Sequence, residues 1–204
     1  AYMNIVIASQ YIIRMEKVMK EKKTSIYNIA FMGLMTAVMC ILGPLSLPIG
    51  PVPISLTNLV LYFTVFVIGT KAGLGSYCLY LLLGAIGLPV FSGYAGGLGK
   101  LTGPTGGYLI GFIAMILIGG IIMEKTNRNI VATCIAWVVG TAAAYLFGTI
   151  WFVYLMHCSV MYALTICVFP FIIGDIVKII VGTILGKEVR KALSKAGIIG
   201  VARA

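Results

Sequence analysis

The chain has 204 residues, of which 61% are hydrophobic and only 10% charged. A soluble domain carries about 25% charged residues, so this composition excludes a soluble globular enzyme. Its apolar content equally excludes a disordered chain. What remains is an integral membrane protein, and at about 20 residues per helical crossing 204 residues allow five to seven spans. The net charge of +10 would point to nucleic acid in a soluble protein; here it poses the question of which side the charges occupy.

The chain begins with a basic segment, residues 1–25. Its apolar stretch Ile5–Ile13 is too short to span and lacks the layout of a signal peptide. Arg14 to Lys23 reads as a cytoplasmic juxtamembrane helix that orients the chain and contacts anionic lipid. The first span is expected over 26–43. It carries Ala30, Gly33 and Ala37, a small-residue face that serves either docking to a separate membrane partner or packing within the bundle. Pro44, Pro48, Pro51 and Pro53 then stiffen an uncharged loop, a lid or a simple connector.

Spans two and three are expected over 55–70 and 72–91. From Gly93 to Gly111 lie eight of the 25 glycines, in the connection to span four at 104–123. Such a loop can wrap backbone N–H groups around a ligand, or can merely make a tight connection. It is no nucleotide loop: Gly99-Lys100 is followed by Leu101 rather than Ser or Thr, and Gly97-Leu98-Gly99 meets Thr102 where a dinucleotide fingerprint needs glycine. Pro104 is expected to open the fourth helix, capped by Thr102 or Gly103, with an N-terminus that favours an anionic group.

Span five is expected over 130–156, with Gly140 to Ala144 packing internally, and span six over 161–186. Span six contains Asp175 and Lys178, the two full charges well inside a span. Each costs roughly 2.5–3.5 kcal/mol at the centre of a membrane helix. At spacing i, i+3 they share a face and can pair. They read as a polar binding site, or as a self-neutralising pair that packs the bundle. The tail, 187–204, is basic. The scattered cysteines and the lone His157 form neither a disulfide framework nor a metal site.

Sorted by loop, thirteen of the fifteen basic residues fall on one side of such a six-span layout. Lys100 falls on the other and Lys178 lies within span six. The positive-inside rule then places both termini in the cytoplasm. The expected fold is an all-α membrane protein, a bundle of six transmembrane helices over 26–186.

The stretch Gly84-Ala-Ile-Gly-Leu-Pro-Val-Phe-Ser-Gly, with Gly96-Gly and Leu101-Thr-Gly-Pro-Thr-Gly-Gly-Tyr-Leu-Ile-Gly-Phe112, closely resembles the BioY family, biotin-specific S subunits of energy-coupling factor (ECF) transporters. Pro51-Val-Pro-Ile, Gly69-Thr-Lys-Ala-Gly73 and the Asp-x-x-Lys of Asp175 and Lys178 resemble further family segments, so that the likeness runs from about 26 to 186. The resemblance implies an external biotin pocket in a prokaryotic plasma membrane protein, with biotin as ligand and no cofactor. It implies that Asp175 and Lys178 contact the ligand and that the loop over Gly93, Tyr94, Gly96 and Gly97, with Tyr108, covers it. It also implies a transmembrane coupling subunit and two ABC-type ATPases as partners. Where some members have Asn in the loop this chain has Tyr94-Ala95, and Thr57-Asn58 follows the Pro-Ile segment where members often have Gln. Contacts to the ligand's carboxylate are therefore expected from loop backbone amides. An S subunit for thiamine or riboflavin is the first alternative, an ion-coupled transporter with Asp175 as relay the second. A membrane enzyme finds too few acids and histidines.

Overall fold

The computed structural model describes residues 26–47 and 52–198. The juxtamembrane segment around Arg14 to Lys23, Pro48, Pro51 and Arg203 lie outside them. Eight helices follow in order: α1 (Ile26–Leu42), α2 (Thr57–Ile68), α3 (Thr70–Ala85), α4 (Leu98–Thr102), α5 (Gly106–Lys125), α6 (Ile130–Met156), α7 (Val160–Cys167) and α8 (Phe169–Lys195). Two short strands, β1 (Ser46–Leu47) and β2 (Ile54–Ser55), pair antiparallel with Ser46 opposite Ser55, folding the first outer loop back on itself.

Among the described residues α5, α6 and α8 are long and apolar enough to cross a membrane. The 12 residues of α2 rise only about 18 Å, short of the ~30 Å hydrocarbon core. The expected sixth span is broken. Val168 separates α7 from α8, Pro170 sits in the first turn of α8, and α8 continues past 186 to Lys195. Proline belongs in a first turn because its missing N–H has no helical partner there. The start of α5 also differs from expectation: Leu98–Thr102 forms the separate short helix α4, and Thr105, not Thr102 or Gly103, is the N-cap residue of α5. Thr102 instead bonds back to the Leu98 carbonyl within α4.

Packing relies on absent side chains. In lipid there is little hydrophobic drive between helices, so close approach and dispersion hold them. A Cβ on Gly140 of α6 would lie 2.8 Å from the Met115 carbonyl of α5, and one on Gly111 of α5 would lie 3.0 Å from the Ala144 backbone. These two helices make the most extensive contact in the bundle, α2 with α8 the next. Along that second seam Gly182 and Gly186 admit Tyr62 and Phe66. The buried core joins Trp137, Tyr62, Tyr77, Tyr80 and Phe91, with Tyr62 and Trp137 ring centroids 5.1 Å apart. The run from Gly140 to Ala144 does pack internally, as expected.

The inner face of α1 is tied to α3 by polar side chains: Thr36 Oγ1 donates to the Ser76 carbonyl at 3.1 Å and Ser76 Oγ to the Met32 carbonyl at 3.2 Å. Its outer face is bare. Ala30, Gly33 and Ala37 are all exposed, and no described atom lies within 4 Å of a Cβ built on Gly33.

Candidate functional site

Helices α2, α5, α6 and α8 surround a cleft of about 660 Å³, counted to its open mouth. Each contributes one face. From α5 come Thr105, Tyr108, Leu109 and Phe112, at the i, i+3, i+4, i+7 spacing that shares a helix side. From α8 come Phe171, Asp175 and Lys178, from α6 Thr141 and Tyr145, and from the start of α2 Thr57 and Asn58. Val52, Pro53 and Ser55 of the first outer loop and Ser92 of the glycine-rich loop edge the mouth. The lining is largely apolar with a few convergent polar groups, the usual make-up of a small-molecule site.

The polar centre is Asp175, 5% exposed. Its Oδ1 accepts from Asn58 Nδ2 at 2.7 Å and from Lys178 Nζ at 3.1 Å, and its Oδ2 accepts from the Tyr145 hydroxyl at 2.6 Å. Lys178 also donates to the Ser55 carbonyl at 2.9 Å. The i, i+3 pair therefore forms, as its spacing predicts. A carboxylate has about four acceptor positions and an ammonium three donors. One acceptor position on Oδ2 and one N–H of Lys178 remain for a ligand. The pair is thus both self-neutralised and available, which joins the two readings its position left open.

Tyr108 is held through the helix break. Phe171 N–H donates to the Val168 carbonyl at 2.9 Å, which leaves the Cys167 carbonyl without that donor. The Tyr108 hydroxyl takes it up at 3.3 Å. Deeper in, the Tyr62 and Thr141 hydroxyls lie 2.7 Å apart, joining α2 to α6.

The glycine-rich loop folds as a compact cap. Phe91 N–H bonds to the Ala95 carbonyl at 2.9 Å, Gly97 N–H to the Gly84 carbonyl at 2.7 Å, and Gly93 N–H to the Pro44 carbonyl at 3.0 Å. The last bond fastens it to the first outer loop. Gly93 and Gly97 have φ of 74° and 86°, a region that glycine enters without strain. Gly96 lies against the Gly87 and Leu88 carbonyls, where no Cβ fits. Tyr94 is 65% exposed and points away from the core. Burial lowers the pKa of Lys100, in α4, from the ordinary lysine value.

Of the residues expected at the site, the structure brings Asp175, Lys178 and Tyr108 together. Gly93, Tyr94, Gly96 and Gly97 sit in the cap but not in the lining, where Ser92 represents the loop. Ala30, Gly33 and Ala37 lie on the outer face of α1. Sequence reasoning missed Asn58 and Tyr145. Both are polar groups within apolar helices, and that was the available signal.

Residues 15–195 match the BioY family. The biotin transporter BioY2 of Lactococcus lactis subsp. cremoris is 32% identical over 173 residues, 85% of this chain and 95% of that protein. The biotin transporter BioY of Thermotoga maritima is 33% identical over 164 residues, 78% of this chain and 93% of its own length. A crystal structure of the S-component for biotin from an ECF-type ABC transporter superposes with a TM-score of 0.76 at 31% identity, covering 82% of this chain and 92% of that one.

Proposed function

The chain belongs to the BioY family, and from that premise we propose that it is the biotin-binding S subunit of an ECF-type vitamin transporter, capturing biotin in the cleft around Asp175. The observation that carries this reading is the Asp175 cluster set into an otherwise apolar cleft. The ureido ring of biotin presents two N–H donors and one carbonyl acceptor. The free position on Asp175 Oδ2 matches a ureido N–H, and the third Lys178 N–H matches the ureido oxygen. Lys178 also keeps the carboxylate ionised without a net buried charge.

The bundle crosses the membrane six times with both termini in the cytoplasm, as the distribution of basic residues supports. The cap over Gly93, Tyr94, Gly96 and Gly97 closes the external mouth, and its bond to Pro44 makes it one unit with the first outer loop. The exposed face of Ala30, Gly33 and Ala37 docks onto a transmembrane coupling subunit, which two ABC-type ATPases drive. Its bareness supports docking over packing within this chain.

Mass spectrometry of the small molecule that co-purifies with the detergent-solubilised protein tests the ligand, with biotin as the expected result. Calorimetry tests the site: Asp175→Asn or Lys178→Ala should weaken biotin binding at least about tenfold, or about 1.4 kcal/mol. A competition panel in which thiamine or riboflavin displaces the ligand and biotin does not would overturn the assignment.

A further inference from the structure

The two ends of the cleft differ in their chemistry. The inner end is the Asp175 cluster. At the outer end stands the N-terminus of the 20-residue helix α5, where donors are left unspent. Thr105 holds the N-cap position and lines the cleft. A threonine there ordinarily turns its hydroxyl onto the N–H groups of the first turn. Thr105, with φ −92° and ψ −5°, makes no such bond. It is 8% exposed, and its Oγ1 has no partner among the described residues. In the same turn Gly106 N–H bonds to the Gly103 carbonyl, and Tyr108 and Leu109 N–H groups to the Thr105 carbonyl. The Gly107 N–H has no backbone acceptor among the described residues.

We propose that this outer end is the carboxylate subsite, with the Thr105 hydroxyl and the Gly107 N–H donating to the ligand's carboxylate while its head lies on Asp175. The inference rests on the biotin reading and adds the group that holds the tail. Charge fixes the polarity. A carboxylate at the inner end would stand beside Asp175, whose counterion is already engaged at 3.1 Å. The outer end instead offers the positive pole of a helix.

Length agrees. Trp151 Nε1 donates to the Gly103 carbonyl at 3.0 Å, so the start of α5 lies level with Trp151 of α6. Tyr145, which binds Asp175, lies six residues earlier on α6, about 9 Å along its axis. A fused-ring head followed by a five-carbon acid tail, extending roughly 1.2 Å per backbone bond, spans that interval.

The test compares biotin with biotinol, its uncharged alcohol, by calorimetry on the full detergent-solubilised chain. The ratio of the two affinities is read because general damage to the cleft weakens both ligands together. The parent protein should prefer biotin by about tenfold or more, Thr105→Val should cut that preference by about fivefold, and Thr105→Ser should keep it. Thr105→Ala, which leaves space rather than adding a methyl group, should match Thr105→Val. An undiminished preference in the valine and alanine variants overturns the subsite, as does equal binding of both ligands by the parent protein. A parent that binds neither ligand overturns the biotin reading itself, and this inference with it.

Discussion

Asp175 draws its donors from three helices, so the pair it forms with Lys178 is also a joint of the bundle. Removing one partner of a buried ion pair leaves an unpaired charge, at about 3–5 kcal/mol, whereas replacing both with neutral groups is often nearly neutral. Lys178→Ala should therefore lower the melting temperature in detergent, and Asp175→Asn combined with Lys178→Met should recover most of it. A double variant no more stable than Lys178→Ala would show that the pair's charges are not what the cleft balances. Tyr145→Phe removes one hydrogen bond to a charged acceptor and should weaken ligand binding by about 1.5–3 kcal/mol if that bond orients the carboxylate. Calorimetry checks it. Asp175 and Lys178 were legible in the sequence because lipid makes full charges expensive and therefore conspicuous. Asn58 and Tyr145 were not, because amides and phenols are tolerated in apolar helices for many reasons. Only packing α2 and α6 against α8 shows that both aim at one carboxylate.

Helices meet here by two kinds of small-residue face, and the structure separates them where spacing did not. Gly140 is pressed against the Met115 backbone, which cannot yield as a flexible side chain would. Gly140→Leu should destabilise the isolated subunit by several kcal/mol, above the 1–3 kcal/mol usual for overpacking, and thermal unfolding would record it. Gly33 faces open space among the described residues. Gly33→Leu should leave the melting temperature and biotin affinity unchanged while reducing co-purification with the coupling subunit. Normal recovery of the complex would remove α1 from the docking role. The ends of α1, α2, α5 and α6 were readable within three residues because apolar runs end at glycine, proline or charge. The break at Val168 was not. Pro170 marks it, but a proline near the start of an apolar run is equally compatible with an unbroken helix, and the Tyr108 bond to the Cys167 carbonyl comes from a residue 59 positions away.

Across the whole molecule, contacts assign the ends of the helices to two poles. At one, Thr70 N–H donates to Glu124 Oε1 at 2.8 Å, Arg128 lies 3.8 Å from Glu124, and Arg190 donates to the Val67 carbonyl. These join the C-terminal ends of α2, α5 and α8 to the start of α3. At the other, the Gly93–Pro44 and Trp151–Gly103 bonds join the two outer loops to the end of α6. The first pole carries Lys71, Lys125, Arg128, Lys187 and Arg190, and the second only Lys100. A chain inserted by the positive-inside rule keeps the first pole in the cytoplasm. Its five native cysteines replaced, the chain should take an impermeant maleimide in intact cells at Tyr94→Cys, and at Lys125→Cys only after permeabilisation. The reverse pattern would put the cleft's mouth in the cytoplasm. A capture subunit would then open toward the wrong compartment, so this orientation is a condition of the proposed function as well as of the fold.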